Sequence, residues 1–434
     1  MNSDAVERLV IAAESSEAYS ALIVDPKTGS STWSLKGNEL FGATLGQVVP
    51  VGHGGEHLLL TVPDKPLLHV IAVHNRNRLH QKSVVPGPVK CAVTSRDGAV
   101  VFCAIGAQIF AWMLQNGDLL AIVDAHYQPI TKLQLCSDDS MLISCSQDGN
   151  VNVYLVADVI SGGLSGAVAP YASWTAHGLA ISDMAVTLSQ NPRILTCSTD
   201  HSAVLRGLTL PEPLLKVSAD RPFTACAMDP AESRAFVGTD KGTIVQISLF
   251  SAIDNREYLI STHNTDDEIF PIFVGHSAPV SRIAVNADGS MMASGDQSGG
   301  YLIWDILSRQ CLKESSMKAS ISTLFFTSNW VSLNDNDYKK SDITFGLLKK
   351  NKNTSNVTIP ILANGFIEQN AEDIIEWFLE RNPIKKNESG KSDEKADGTT
   401  KDTETIAALK KDIVKLKKAN RDLFEHAKKA AERS

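Results

Sequence analysis

The segment GHSAPVSRIAVNADGSMMASGDQSGGYLIWD, residues 275–305, decides the fold class of this chain. A Gly-His pair opens it, and two short apolar stretches follow, Val280 to Val285 and Met291 to Ser294. A polar turn at Gln297-Ser298-Gly299 then leads to a third apolar stretch that ends at Trp304-Asp305. Short apolar runs bounded by Gly, Asp and Ser indicate β-strands. The segment therefore predicts a unit of short antiparallel strands.

The same pattern occurs twice more, in segments that begin at Ala125-His126 and Ala176-His177. In all three copies 28 residues separate the histidine from the middle of the third strand, at Tyr154, Leu205 and Trp304 (126 to 154, 177 to 205, 276 to 304). A period of about 40 to 45 residues with four short strands is typical of a WD-repeat β-propeller. The three copies predict three blades of such a ring.

Three further stretches keep the strand pattern without the histidine: Pro88 to Trp112, Pro222 to Gln246 and, more weakly, Thr44 to Lys82. They bring the number of predicted blades to six.

The seventh blade is predicted from both ends of the pattern. Ala21 to Leu35 resembles a third and a fourth strand with no first and second strand before them, whereas Ile321 to Leu333 and Ile343 to Leu348 supply one or two strands. Because an open sheet edge invites aggregation, we expect both pieces to share one blade. The predicted fold is all-β, a seven-bladed WD-repeat β-propeller closed by N-terminal strands and followed by an α-helical coiled-coil extension. Six or eight blades are the alternatives.

A polar network is expected inside the blades. In a WD unit the turn aspartate binds the histidine of the preceding loop, and a strand-two Ser or Thr and a strand-three Trp complete the network. We predict that His126 and Asp148 form such a network with Ser144 or Ser146, and that Tyr154 replaces the tryptophan. The predicted members in the other two blades are His177 with Asp200, where Leu205 takes the Trp position, and His276 with Trp304, where Ser298 replaces the aspartate.

Catalytic and cofactor sites are not predicted. A His-Ser-Asp trio could belong to a hydrolase, but its recurrence at similar spacing favours a structural network. His53-Gly54-Gly55-Glu56-His57 has the spacing of a zinc-protease motif, yet its adjacent glycines disfavour the helix that such a motif needs. No phosphate-binding or dinucleotide-binding glycine loop is present. The sequence thus predicts a non-enzyme without cofactor or metal.

Composition excludes several classes of protein. The 434 residues carry a net charge of −8, and the seven cysteines are odd in number and form no C-x-x-C pair. This cysteine usage disfavours a disulfide framework or a zinc ribbon and fits a reducing compartment. The longest apolar runs are far shorter than the roughly 20 residues that span a bilayer, and the N-terminal residues lack the pattern of a secretory signal. We expect neither membrane insertion nor secretion.

The composition changes after the propeller, which we place at residues 1–360. Residues 361–382 are predicted to contain a short amphipathic docking helix with Ile374, Trp377 and Phe378 on its apolar face. It would dock either on its own propeller or in the groove of a partner. A charged linker, residues 383–403, is predicted to be disordered.

Residues 404–434 predict a coiled-coil helix. Its apolar positions step alternately by three and four residues, and the predicted seam consists of Ile406, Leu409, Ile413, Leu416, Asn420 and Leu423. Ile at position a, Leu at position d and one buried Asn favour a parallel dimer. The alternative is a single helix laid on a partner, because about three heptads are short.

Several of these stretches resemble the WD-repeat protein 18 family, the propeller subunit of the rixosome. They are Pro86-Gly87-Pro88-Val89, Ala125-His126-Tyr127-Gln128, residues 242–250, residues 275–305 and Asn420-Arg421-Asp422-Leu423-Phe424. The last is the most telling, because generic propellers do not end in such a helix.

The resemblance implies a non-catalytic scaffold of a complex that matures the large ribosomal subunit and removes an internal transcribed spacer from its pre-rRNA. The implied partners are two helical-repeat subunits, one proline-, glutamate- and leucine-rich and one of the testis-expressed type, and indirectly the pre-60S particle and the ATPase midasin. The implied location is the nucleus, in nucleolus and nucleoplasm, with the cytoplasm as an alternative. The resemblance implies no direct sequence-specific binding to nucleic acid. The alternatives are a substrate receptor of a ubiquitin ligase, whose helix-loop-helix adaptor box we do not find, and a chromatin or replication scaffold.

Overall fold

The computed structural model describes residues 7–15, 19–36, 44–52, 55–73, 80–162, 168–189, 191–210, 212–250, 257–262, 270–328, 330 and 345–349. The chain divides into two compact units, residues 1–358 and 359–434, and all described residues belong to the first. They form seven mainly antiparallel sheets, so the predicted seven-bladed propeller is confirmed. The predicted docking helix, linker and coiled coil lie outside the described residues.

The strands follow one another along the chain from blade to blade. Three strands come first: β1 (Arg8–Ala13), β2 (Tyr19–Val24) and β3 (Ser31–Lys36). Blade 1 consists of β4 (Val48–Val51), β5 (His57–Thr61), β6 (Leu67–Ala72) and β7 (His80–Val84). Blade 2 consists of β8 (Cys91–Thr94), β9 (Val100–Ile105), β10 (Gln108–Met113) and β11 (Leu119–Asp124). Blade 3 consists of β12 (Ile130–Leu135), β13 (Met141–Ser146), β14 (Asn150–Leu155) and, after helix α1 (Val156–Gly162), β15 (Ala172–Thr175).

The remaining blades follow the same order. Blade 4 consists of β16 (Ile181–Val186), β17 (Arg193–Ser198), β18 (Ser202–Gly207) and β19 (Leu215–Ala219). Blade 5 consists of β20 (Phe223–Met228), β21 (Arg234–Thr239), β22 (Thr243–Ser248) and β24 (Ile272–Val274). Between the last two, β23 (Glu257–Ile260) pairs in parallel with β19 and adds a fifth strand to blade 4. Blade 6 consists of β25 (Val280–Val285), β26 (Met291–Asp296), β27 (Gly300–Asp305) and β28 (Cys311–Ser316), and the last described strand is β29 (Ile321–Thr327).

Blade 7 joins the two ends of the propeller, as predicted. Its strand order is β29-β1-β2-β3, with Ile11 of β1 opposite Leu324 of β29. The prediction that no earlier strand precedes Ala21 was wrong, because Arg8–Ala13 forms β1. This strand is buried along almost its whole length and is therefore continuously apolar, without the alternation that marks a half-buried strand. The strand expected over Ile343 to Leu348 is also absent from its described part, residues 345–348.

Hydroxyl groups connect neighbouring blades around the ring. Five inner strands, β12, β16, β20, β25 and β29, have Ser or Thr as their second residue. In β12, Thr131 Oγ1 donates to Cys145 O of its own blade (3.2 Å), whereas in the other four strands the hydroxyl donates to a backbone carbonyl of the next blade. The bonds are Ser182 Oγ to Phe223 O (2.9 Å), Thr224 Oγ1 to Val280 O (2.6 Å), Ser281 Oγ to Ile321 O (2.7 Å) and Ser322 Oγ to Gly46 O (2.5 Å). Because the residues that supply the carbonyls are buried, each bond satisfies an oxygen that would be costly to bury without a donor.

A segment beyond β29 packs back onto blades 1 and 2. Trp330 is buried in the apolar cluster of blades 7 and 1. Residues 345–349 lie against blade 2, where Lys349 O accepts a hydrogen bond from Trp112 Nε1 (2.9 Å) and Gly346 N donates to Leu114 O (2.9 Å). Leu348 is buried between the two blades. We call residues 345–349 the strap.

Candidate functional site

Three histidines mark one face of the ring. Each stands in the loop before an inner strand, and its Nδ1 faces an aspartate carboxylate from the same blade. The pairs are His126 with Asp148 (3.3 Å), His177 with Asp200 (3.2 Å) and His276 with Asp296 (2.9 Å). We call this side of the propeller the histidine face. It carries the loops between blades and the turns between second and third strands.

The other ring nitrogen of each histidine meets a hydroxyl group from the second strand. The Nε2 contacts are His126 with Ser144 (2.9 Å), His177 with Thr196 (2.9 Å) and His276 with Ser294 (2.7 Å). These three hydroxyl residues are themselves buried. Of the two serines considered for blade 3, Ser144 binds the histidine, whereas Ser146 donates to the carbonyls of Gln128 and Pro129.

The network determines the protonation of the imidazoles. A carboxylate can only accept, so Nδ1 carries the proton and Nε2 accepts from the hydroxyl. Burial lowers the pKa of His126, His177 and His276, although the neighbouring aspartate opposes this shift in each case. All three imidazoles are therefore neutral at pH 7, and each histidine–aspartate pair keeps the negative charge of its carboxylate.

The expected replacement of the aspartate by Ser298 was wrong. His276 binds Asp296, the last residue of β26, and Ser298 Oγ donates to the other oxygen of the same carboxylate (2.7 Å). In blade 3 the corresponding positions hold Ser146 and Asp148. Blades 3 and 6 therefore carry the carboxylate and the hydroxyl at exchanged positions. Both positions allow the carboxylate to bind the histidine, because the tight turn brings side chains two residues apart within reach of the same imidazole.

The third-strand positions differ among the blades. Trp304 Nε1 donates to Ser294 Oγ (2.8 Å) and completes the network of blade 6. Tyr154 does not take this place, because its hydroxyl lies 3.4 Å from the carbonyl of Ala125. Leu205 offers no polar atom, and Thr196 Oγ1 instead lies 3.3 Å from Val204 O.

The side chains of this network order the turns and are poorly placed for catalysis. Ser294 is fully buried, and its oxygen accepts from Trp304 while its proton is directed at His276. A nucleophile must be reached by its substrate and be close to donors that stabilise an oxyanion. A buried hydroxyl between an indole and an imidazole offers no such access, so the arrangement stabilises a blade.

The central channel contains an ion pair that was not predicted from the sequence. Lys132 Nζ lies 2.7 Å from Asp183 Oδ1, on the inner strands of blades 3 and 4, and the Asp183 side chain is almost fully buried. Burial opposes ionisation of Asp183, but Lys132 and Arg282 outweigh it and lower the pKa of this carboxyl. In the sequence, the only sign of this ion pair is that three inner strands have a charged residue at their third position.

The remaining predicted residues and sites either lie outside the described residues or make few contacts that bear on function. The docking residues Ile374, Trp377 and Phe378 and the seam residues 406–423 lie outside the described residues. His57 begins strand β5 and packs edge-on against Phe345 with ring centroids 4.7 Å apart. Within the described ranges no group of three His, Cys, Asp or Glu side chains could hold a metal ion, and no helix is long and apolar enough to cross a membrane. All seven cysteines are free thiols.

Comparison with known proteins agrees with this architecture. The family model of the WD domain, G-beta repeat, matches residues 117–154 and 268–305. These two segments contain the Asp148 and Asp296 turns.

Among curated proteins, WD repeat-containing protein 18 of Homo sapiens is 30% identical over 321 residues, which are 73% of this chain and 74% of the human protein. This chain belongs to the WD repeat-containing protein 18 family.

Two further relatives carry names that refer to a process. Pre-rRNA-processing protein pro-1 of Caenorhabditis elegans is 46% identical over 334 residues, 77% of this chain. The chain spans 63% of the length of that relative. Pre-rRNA-processing protein IPI3 of Yarrowia lipolytica is 27% identical over 305 residues, 67% of this chain and 68% of the yeast protein.

Proposed function

We propose that this member of the WD repeat-containing protein 18 family is a non-catalytic scaffold subunit of a nuclear complex that matures the precursor of the large ribosomal subunit. The observation that carries the proposal is the 46% identity with a protein named for pre-rRNA processing. The yeast relative with the same kind of name supports it.

A scaffold role fits the chemistry of the propeller. The buried histidine networks order turns, and in the central channel Lys132 forms an ion pair with the buried Asp183. A ring of blades offers two faces and a rim, on which several partners can bind at once. We therefore expect the chain to hold other subunits together rather than to perform a chemical step.

The expected partners are the helical-repeat subunits of the rixosome, and through them the pre-60S particle and midasin. We propose that the terminal helix makes the chain a homodimer within this complex. The docking helix with Trp377 would bind either the propeller or one of these partners. The expected location is the nucleolus and nucleoplasm.

Inducible degradation of the chain tests the process. Pre-rRNA that retains the internal transcribed spacer should accumulate within one or two cell divisions, as measured by hybridisation with a spacer probe. A variant with Ser294→Ala should rescue processing in proportion to its remaining folded fraction. Unchanged pre-rRNA after complete depletion would reject the role in maturation, and a folded Ser294→Ala protein without function would reject the non-catalytic role.

Affinity purification with mass spectrometry tests the partners. Two helical-repeat subunits should be recovered with the full chain from nuclear extract. Recovery of a cullin and its adaptor in their place would favour the ubiquitin-ligase alternative and overturn the proposal.

A further inference from the structure

Two exposed apolar side chains lie on the histidine face. Tyr127 follows His126 in the loop before blade 3, and its side chain is 97% exposed. Leu179 lies in the corresponding loop before blade 4 and is 56% exposed. Exposure of the aromatic ring of a tyrosine to water brings little favourable free energy. Tyrosine is also enriched among the residues that anchor protein interfaces.

The turn of blade 3 joins these two loops into one surface. The backbone N–H of Tyr127 lies 3.4 Å from Asp148 Oδ2. The next residue of this turn, Gly149, accepts from the N–H groups of Ala176 and His177 at the start of the Leu179 loop (2.9 and 3.2 Å). Gly149 has a φ of 78°, and a Cβ there would collide with the carbonyl of His177, so the contact requires glycine.

The charges carried by the turns of this surface have one sign. Its turns are residues 105–109, 124–129, 146–150, 175–180 and 198–202, all of which the structure describes. They contain Asp124, Asp148 and Asp200 and neither Lys nor Arg. One basic side chain, the exposed Lys216 on β19, is close enough to His177 to help lower the pKa of that histidine, and the flanking loops carry Lys90 and Arg221.

The histidines do not neutralise these aspartates. Burial lowers the pKa of both His126 and His177, so their imidazoles are uncharged at neutral pH. Burial of Asp200 opposes its ionisation, but the hydrogen bonds from Ser202 and the proximity of His177 outweigh it and lower the pKa of the carboxyl. Asp124 is exposed, and its carboxylate accepts a hydrogen bond from Gln108 Nε2 (2.6 Å).

We propose that the surface formed by Asp124, Tyr127, Asp148, Leu179 and Asp200, the Tyr127 surface, binds a basic segment of a partner protein, one that presents Lys or Arg beside an apolar side chain. Charge complementarity decides the occupant, because the three aspartates outnumber the neighbouring cation Lys216, and the excess negative charge attracts a basic segment and repels a polyanion such as RNA. Tyr127 and Leu179 supply the apolar contact. The proposal rests on the propeller alone and does not depend on the role in ribosome maturation.

A library of short random peptides displayed on phage, selected on the full chain, provides the probe. The enriched peptides should contain Lys or Arg next to Leu, Met or an aromatic residue. Synthetic versions should bind the wild-type chain, and raised salt should weaken the binding. Tyr127→Ala combined with Leu179→Ser should weaken it by roughly tenfold or more, and Asp124→Lys should weaken it as well.

The matched control uses two other exposed apolar residues of the ring. Leu188 and Phe250, 66% and 70% exposed, line a depression between blades 4 and 5. Leu188→Ser with Phe250→Ser should leave peptide binding unchanged, and all variants should keep the wild-type melting temperature. Selection of acidic or uncharged peptides would overturn the proposal, as would binding that the Tyr127 and Leu179 changes leave intact. Binding of oligouridine that is lost in Tyr127→Ala would identify a nucleic-acid surface and overturn it too.

Discussion

His276 Nδ1 donates a hydrogen bond to Asp296 Oδ2 across 2.9 Å, and both side chains are almost fully shielded from solvent. The second oxygen of the same carboxylate accepts from Gly300 N (2.8 Å) and Ser298 Oγ (2.7 Å). One carboxylate thus ties the loop before blade 6 to the turn between its second and third strands. The stability of the blade should depend on this group more than on any other polar side chain near it.

Asp296→Ala should lower the free energy of unfolding by about 1 to 3 kcal/mol, because it leaves a buried imidazole N–H without an acceptor. Chemical denaturation of the full chain measures the loss. Ser298→Ala is the control and should cost clearly less, since the Asp296 carboxylate keeps its other donors. Equal losses in the two variants would contradict the assignment of the carboxylate to Asp296.

Stability should fall as the pH drops below about 6.5. The pKa of each of the three network histidines is lowered by burial, so in this range the unfolded chain binds protons that the folded chain does not. A second loss should begin below about 3.8, because the pKa of Asp183, Asp200 and Asp296 is lowered in the fold. Chemical denaturation at a series of pH values gives the slope of the unfolding free energy against pH.

His276→Gln should reduce the slope of unfolding free energy against pH between pH 6.5 and 5, since one titrating group is lost. A His276→Gln protein with the full wild-type slope would show that the network histidines do not titrate as described.

Closure of the ring should depend on β29. Leu324 is buried opposite Ile11 of β1, and Leu324→Ala should destabilise the chain by about 2 to 5 kcal/mol, the usual cost of truncating a core leucine. Leu312 on the outer strand of blade 6 is 51% exposed, and Leu312→Ala should cost much less. Thermal melting compares the two. Similar melting temperatures would mean that β29 is not required to close blade 7.

The strap offers a matched pair of adjacent leucines. Leu348 is 8% exposed between blades 1 and 2, whereas Leu347 is 64% exposed. Leu348→Ala should lower the unfolding free energy by about 2 kcal/mol or more and speed proteolytic cleavage near Lys349, and Leu347→Ala should do neither. Limited proteolysis followed by mass spectrometry locates the cut. Identical cleavage of both variants would argue against a bound strap.

The terminal helix should set the oligomeric state. Leu409→Lys with Leu416→Lys should make the chain monomeric in light scattering while the propeller melts normally, because a charge at position d cannot be buried in the seam. Asn420→Leu should instead raise the stability of the assembly and admit higher oligomers. A wild-type chain that remains monomeric at high concentration and present in one copy in its complex would reject the dimer.

Repeated local patterns made much of the propeller predictable. The spacing of His126, His177 and His276 to their third strands established the repeat, since each blade needs the same loop and turn to pack on its neighbours. The same reasoning placed Ala21 to Leu35 and the β29 region in one blade. It failed for β1, because a strand buried on both faces carries no alternation, and for Asp296, because two positions in a tight turn can reach the same imidazole.

The sequence by itself determined the fold class, the number of blades and the three histidines that recur in the loops before blades 3, 4 and 6, because these depend on a pattern repeated within each blade. Only the tertiary structure decided which residues meet across blades: the hydroxyl bonds such as Ser281 to Ile321, the Lys132–Asp183 pair in the channel and the strap against Trp112. It also brought Tyr127 and Leu179 onto one surface. Such contacts join residues far apart in the chain, and their partners are selected by the curvature of the closed ring rather than by any local pattern.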